Sequence, residues 1–273
     1  MDLENKDALD LYSSALYGYQ HSVPIAVASN SRFKQIAFDP FEDYGFAINC
    51  TDTCITTHFD YGGAIDSADA EIDDTYAHTG KHSLKLLTGT ASSKRDIESY
   101  NDSTLNKKAR IYKLKNGGCI QQFSPNSGQY LLSAWVKQGI DCNVTTYEDT
   151  YIRIHYEGSG SDYDCYPAGP IIDGWQRIES KFSVPGAADA IYVDLISSAE
   201  DAWFDDVRIL PIKGSMKSYV YDPVSLRLMA TLDENNYATF YEYDDKGVLV
   251  RTKRETEHGI ATLQENRDSY QNK

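Results

Sequence analysis

The chain has 273 residues, 41% hydrophobic and 12% aromatic, with 41 Asp and Glu against 26 Lys and Arg, a formal net charge of −15. That apolar share supports a real core and excludes wholesale disorder. The acid excess disfavours nucleic acid and anionic lipid as partners, and no run approaches the ~20 apolar residues of a membrane span.

The aromatic load is biased toward tyrosine, with 21 Tyr against 9 Phe and 3 Trp. Tyrosine suits half-buried strands whose hydroxyls reach water, so an all-β chain is expected. The N-terminus, Met-Asp-Leu-Glu-Asn-Lys, has no apolar signal-peptide region, and any export signal is expected upstream of it.

Residues 1–38 come first. Leu9 to Tyr17 suits a short amphipathic helix or an irregular strand, followed by Tyr17-Gly18-Tyr19, Pro24-Ile25-Ala26-Val27-Ala28 and Ile36-Ala37-Phe38.

From 39 to 211 the pattern is one of short strands: Ser83–Leu87, Tyr130–Lys137, Tyr151–Tyr156, Trp175–Val184, Ala190–Ile196 and Ala202–Leu210. Alternation puts Trp175, Arg177, Glu179 and Lys181 on one face, with Gln176, Ile178, Ser180 and Phe182 on the other. Many short strands, each with one apolar face, predict an antiparallel β-sandwich with Trp135 and Trp175 in its core. Residues 107–115, with five basic residues among apolar ones, read as a charged edge strand. The acids Asp60, Asp66, Asp69, Glu71, Asp73 and Asp74 lack EF-hand spacing and read as a solvated, flexible loop.

Five cysteines at 50, 54, 119, 142 and 165 form an odd set without zinc-ligand spacing. Cys142 and Cys165 bracket a Tyr-rich segment that a disulfide would staple in an exported protein; in a reducing compartment all five would be small buried residues.

Near the C-terminus, Tyr219-Val220-Tyr221-Asp222 is echoed by Tyr241-Glu242-Tyr243-Asp244, with Asp233-Glu234-Asn235-Asn236 as a polar turn between the copies. Strand end, turn and new strand recurring at fixed spacing mark a β-repeat array. The stretch resembles the YD-repeat (Rhs-type) family, in particular the C-terminal repeats of large bacterial, Bacteroidetes-like, surface or secreted proteins, and the 1–38 segment resembles their connector. The resemblance implies an upstream YD-repeat shell of the same polypeptide as partner, an extracellular or cell-surface location, and a small β-meander over 212–273.

A second resemblance runs through Phe41-Glu42-Asp43, Ala77-His78-Thr79-Gly80-Lys81-His82, Leu132-Ser133-Ala134-Trp135, Gly174-Trp175-Gln176-Arg177 and Phe204-Asp205-Asp206-Val207. The series is similar to galactose-binding-like jelly rolls of carbohydrate-binding modules. It implies a structural Ca²⁺ held by Glu42, the carbonyl of Lys81, and Asp205 or Asp206, of which strand alternation turns only one outward.

For glycan contact the candidates are Tyr147, Tyr151, Tyr163 and Tyr166, interleaved with Arg153, Asp162 and Asp164. Aromatic planes with polar neighbours suit sugars, and equally a Tyr-rich hairpin lying on another domain. Enzyme signatures are missing: Gly158-Ser159-Gly160-Ser161 lacks the nucleophile-elbow pattern, and His78 and His82 straddle a Thr-Gly turn rather than a helix face. Three functions follow: a non-catalytic structural, adhesive or glycan-binding module; a docking element at 237–260 recognised by a secretion or outer-membrane anchoring apparatus; and, more distantly, a carbohydrate-active enzyme.

Overall fold

The computed structural model describes residues 3–44, 58–59, 61, 70–87, 96–97, 123–139, 144–158, 161–186 and 190–266. The charged segment 107–115, most of the acidic run from Asp60 to Asp69, and Cys50, Cys54, Cys119 and Cys142 lie outside them. The strands are β1 (Glu4–Lys6), β2 (Tyr12–Gly18), β3 (Val23–Ser29), β4 (Ala37–Asp39), β5 (Ala70–Asp73), β6 (Ser83–Leu86) and β7 (Asp96–Ile97). Then come β8 (Gly128–Gln138), β9 (Thr150–Glu157), β10 (Tyr163–Cys165), β11 (Pro167–Ile172), β12 (Trp175–Val184), β13 (Ala190–Ser197) and β14 (Ala202–Pro211). The last are β15 (Ser215–Tyr221), β16 (Leu228–Leu232), β17 (Ala238–Tyr243), β18 (Leu249–Thr256) and β19 (Gly259–Glu265). Leu9–Tyr17 is therefore no helix, and its ordered part is β2.

The strands form three antiparallel sheets. A four-stranded sheet (β10-β9-β13-β7) and a seven-stranded sheet (β11-β12-β8-β14-β6-β5, with β4 beside β14) make the jelly-roll sandwich. Their shared core includes Leu84, Leu132, Val136, Ile152, Ile154, Ile178, Phe182, Val193, Leu195, Phe204 and Ile209. The eight-stranded outer sheet runs β1-β2-β3-β15-β16-β17-β18-β19, and Leu16, Ile25, Phe38, Leu131, Leu210, Met216, Val220, Ala230 and Leu232 form a second core beneath it.

The seven-stranded sheet is therefore covered on both faces around its centre. This explains β14, where every residue from Ala202 to Leu210 is buried: a strand with two covered faces has no polar side to alternate with. It also corrects the placement of the tryptophans. Trp135 and Trp175 are buried, at 0% and 5% exposure, but they pack with Ile172, Trp203 and Tyr237 on the sheet's outer side, not between the sandwich sheets.

Sheet order also shows how the parts join. β3 pairs directly with β15 in the register Ser29↔Ser215 to Ala26↔Ser218, so the sandwich is an excursion between two neighbouring strands. The N-terminal segment and the C-terminal strands are thus one sheet, and β15–β19 is an antiparallel meander.

Four of the outer sheet's turns share one device. Asp222, Asp233 and Asp244 stand eleven residues apart. Each turns Oδ1 back on its own turn: Asp222 accepts from the N–H groups of Val224 and Ser225, Asp233 from Asn235 and Tyr237, Asp244 from Lys246 and Val248. Asp7 does the same for Leu9 and Leu11. Such Asx bonds replace backbone partners in a tight turn, and Asp10, Leu226, Asn236 and Gly247 supply one positive φ to each of the four.

Candidate functional site

Four buried carboxylates gather beneath the 77–82 loop: Glu42 just beyond β4, Asp205 and Asp206 in the middle of β14 and, from β18, Glu255. Simple alternation would send Asp205 and Asp206 to opposite faces. Asp206 instead has φ +50, and the β14–β8 register shifts between Asp205 and Arg208, so a bulge leaves both fully buried under the same loop. The expectation of one outward carboxylate is corrected accordingly.

The loop meets them with backbone donors. Asp205 Oδ2 accepts from the N–H groups of His78 (2.7 Å) and Thr79 (3.2 Å). Glu42 Oε1 accepts from those of Lys81 (2.5 Å) and His82 (2.7 Å), with His82 Nδ1 3.0 Å from Oε2. Lys81 thus turns its N–H, not its carbonyl, toward Glu42, while its Nζ pairs with Asp222 on the outer sheet. Gly80, at φ +67, lies so close to Glu42 that any Cβ would overlap the carboxylate, which fixes glycine at this turn. Burial raises the carboxyl of Glu42 against the pull of these donors, and raises that of Asp205 further with the help of Asp206 and Glu42.

His78 sits between two acids, with Nδ1 2.7 Å from Asp206 Oδ2 and Nε2 3.0 Å from Glu255 Oε1. Both ring nitrogens face carboxylates, the arrangement of a doubly protonated imidazolium. Burial opposes that charge, but Glu255 and Asp206 outweigh it and hold the group up at about 9. Its ring stacks on Trp135 at 4.3 Å between centroids and 16° between planes. This bridge between the sandwich and β18 escapes a linear reading because its members lie 128 and 177 residues apart.

Arg208 is the second bridge. Fully buried, it donates to the carbonyls of Met216, Asp233 and Glu234 and to Ser133 Oγ, tying β14 and β8 to the outer sheet. Burial, then the neighbouring Arg177 charge, lowers its pKa to about 10.

The four-stranded sheet carries the aromatic candidates, and the structure separates them. On β9, Tyr151, Arg153 and His155 point away from the core, while Ile152, Ile154 and Tyr156 are buried. The Tyr151 and Tyr166 rings lie 4.9 Å apart at 32°, with Tyr166 50% exposed. Beside them Arg153 forks onto Asp164 (2.6 and 2.8 Å), and His155 meets Asp162 (2.7 Å) and the Tyr192 ring (5.4 Å). Tyr163 shares the face of buried Cys165 and reaches Ser180 of β12 at the sandwich edge, 41% exposed. Tyr147 is buried, with its hydroxyl donated to the carbonyl of Gly174, so it offers no free plane.

One other expectation changes. Ala70–Asp73 is strand β5 rather than loop, with Asp73 accepting from the indole N–H of Trp203. Cys165 is a buried free thiol, which burial pushes up to about 12.

No family model and no curated protein matches the chain. Among solved structures it is similar to a two-module structure of Clostridium thermocellum endo-1,4-β-D-xylanase 10B, a family 22 carbohydrate-binding module with a glycoside hydrolase family 10 module, complexed with xylohexaose. The identity is 16%, the TM-score 0.35, and the match covers 54% of this chain and 25% of that one. It is similar also to the C-terminal family 22 carbohydrate-binding module of the same xylanase (16%, TM-score 0.34, 54% and 84% covered). A family 22 xylan-binding domain matches at 17%, with TM-score 0.34 and 59% and 96% covered.

Proposed function

We propose that this chain is a non-catalytic carbohydrate-binding β-module of an exported bacterial protein, and that the Tyr151–Tyr166 face is its glycan surface. The observation that carries this is the pair of neighbouring tyrosine rings on the outer side of the sandwich, bordered by Arg153–Asp164 and His155–Asp162. Rings of this kind stack on the apolar face of a sugar, while the flanking ion pairs offer donors and acceptors to its hydroxyls. A non-catalytic role is supported by how the buried acids are used: Glu42, Asp205 and Asp206 are held by loop N–H groups, Thr79 and the two histidines. The test is affinity electrophoresis against a panel of soluble polysaccharides, xylans included. Retardation that falls about fivefold in affinity in Tyr151→Ala and in Tyr166→Ala is expected, each ring contributing about 1 kcal/mol. Migration unchanged by every polysaccharide would overturn the reading.

The wider context belongs to the same proposal. Asp-capped turns at a regular spacing, and a sandwich let into a repeat-like sheet, support an origin in a longer YD-type array at a bacterial surface. Ca²⁺ fits the Glu42–Asp205 cluster in charge and donor type, since buried carboxylates in excess of their cationic partners favour a hard cation. Among the described residues no three His, Cys, Asp or Glu side chains are arranged to hold a metal ion between them, so the ion would draw its other ligands from carbonyls and water. Its role would be structural, tying the 77–82 loop to β14.

One observation favours the docking alternative. β19 is exposed along almost its whole length, with Ile260 and Leu263 at 40% and 60% exposure beside the 237–260 region. An anchoring partner that binds the intact chain and no longer binds after truncation at residue 216 would support it.

A further inference from the structure

A cleft of about 220 Å³ opens between the turn at Asp173 and the β17–β18 hairpin, where the outer sheet overhangs the sandwich. Trp175 and the His78–Glu255 pair line its depth; Ile172 and Phe240 line its walls. Around its mouth stand Asp173, Tyr241, Glu242 and Lys253. None of the candidate tyrosines contributes to it.

We propose that this cleft is a second ligand site, taking a single neutral polyhydroxylated ring such as a monosaccharide or the terminal residue of a glycan. Size sets the first bound: drug-sized sites run from about 300 to 1,000 Å³, so this cleft suits one ring and not an oligosaccharide chain. Charge sets the second. Glu242, Glu255 and Asp173 repel an anion, whereas Lys253 repels a cation, and the polar groups inside the site already meet partners: Lys253 Nζ with Glu242, His78 Nε2 with Glu255. A neutral ring with hydroxyls pays neither penalty, and can donate to the carboxylates while accepting from the ammonium and the Tyr241 hydroxyl. Trp175 and Phe240 supply the apolar surface that a pyranose presents its C–H groups to. The site draws both halves of its lining from different sheets, so it exists only when the outer sheet is docked. It shares no residue with the Tyr151–Tyr166 face and stands independently of the reading given to that face.

The experiment titrates the full chain with glucose, galactose, mannose, xylose and N-acetylglucosamine, with glucosamine and glucuronate as charged probes, by protein-observed NMR. At least one neutral sugar is expected to bind at millimolar strength, shifting the resonances of Ala77–Gly80 and the Trp175 indole. Ile260→Trp, at an exposed edge position, fills the cleft and abolishes binding; Lys253→Met weakens it by about tenfold, the effect of losing one charge-assisted hydrogen bond. Thermal melts confirm that both variants are folded, and Tyr151→Ala leaves the affinity unchanged. The proposal is overturned if no neutral sugar moves these resonances, if binding survives Ile260→Trp, if Tyr151→Ala removes it, or if a charged probe binds more tightly than every neutral one.

Discussion

The indole N–H of Trp135, on the central strand of the sandwich, donates to the carbonyl of Asn236 at 2.8 Å, in the turn that joins β16 to β17. Two parts of the chain 101 residues apart are thereby fixed in one geometry, with Asn236 Nδ2 answering to the carbonyl of Asp206 at 3.2 Å. The Asp233–Asn236 turn is both a hairpin end and the outer sheet's anchor on the sandwich.

Trp135→Phe should therefore destabilise the protein by about 1–3 kcal/mol, the cost of leaving the Asn236 carbonyl buried without a donor. Urea unfolding followed by fluorescence and by far-UV circular dichroism should give coincident transitions, since the layers share cores. Residues 212–273 expressed alone should show no cooperative transition, because β15–β19 has lost the surface its buried side chains need. A cooperative melt from that fragment would sink the dependence.

Arg208→Met is expected to cost roughly 3 kcal/mol or more, because it strands the carbonyls of Met216, Asp233 and Glu234 in a buried site. Arg208→Lys should recover only part of this, an ammonium being unable to span the planar fork of acceptors. Equal stability of the wild type and the Met variant in denaturant titrations would count against Arg208 as a bridge.

Added Ca²⁺ should raise the melting temperature at fixed pH, and chelator should lower it, by mass action on the folded state alone. At a hundredfold excess over the dissociation constant the gain is about 2.7 kcal/mol. Asp205→Asn and Glu42→Gln should abolish the response. Identical melting curves with calcium and with chelator would remove the ion from the Glu42–Asp205 cluster.

Burial holds the Cys165 thiol up at about 12, so at pH 8 it stays protonated and weakly nucleophilic. Iodoacetamide at that pH should leave the Cys165 peptide unmodified in the native protein and alkylate it fully in denaturant, as read by mass spectrometry. Rapid native alkylation would contradict the burial.

Much of the sandwich is legible in the chain. Trp175–Val184 matches a strand end to end, and Ala190–Ile196 and Ala202–Leu210 miss theirs by a single residue, because alternation and turn residues are local signals. The site is less legible. Asp205 and Asp206 share a pocket only through the bulge, and a bulge has no residue signature of its own when the positive φ falls on Asp. Trp135 reads equally well as core or seam, since one tryptophan in an apolar strand does not say which face its neighbour covers. The Asp222–Asp233–Asp244 spacing is the signal that could have revealed the shared turn chemistry directly.

Because β3 and β15 are hydrogen-bonded neighbours, the sandwich hangs from the outer sheet as a pendant closed at its neck, where the Ser29 and Ser215 hydroxyls lie 2.8 Å apart. β1 and β19 stand at opposite edges of that sheet, about 34 Å apart at about 4.8 Å per strand step. Tension applied between those edges is borne by the outer ladder and, alongside it, by the Trp135–Asn236, Arg208–Asp233 and His78–Glu255 contacts, so the sandwich braces the sheet it hangs from. The four-stranded sheet that carries the Tyr151–Tyr166 rings lies on the far side of the seven-stranded sheet from these contacts, so the load passes behind those rings rather than through them.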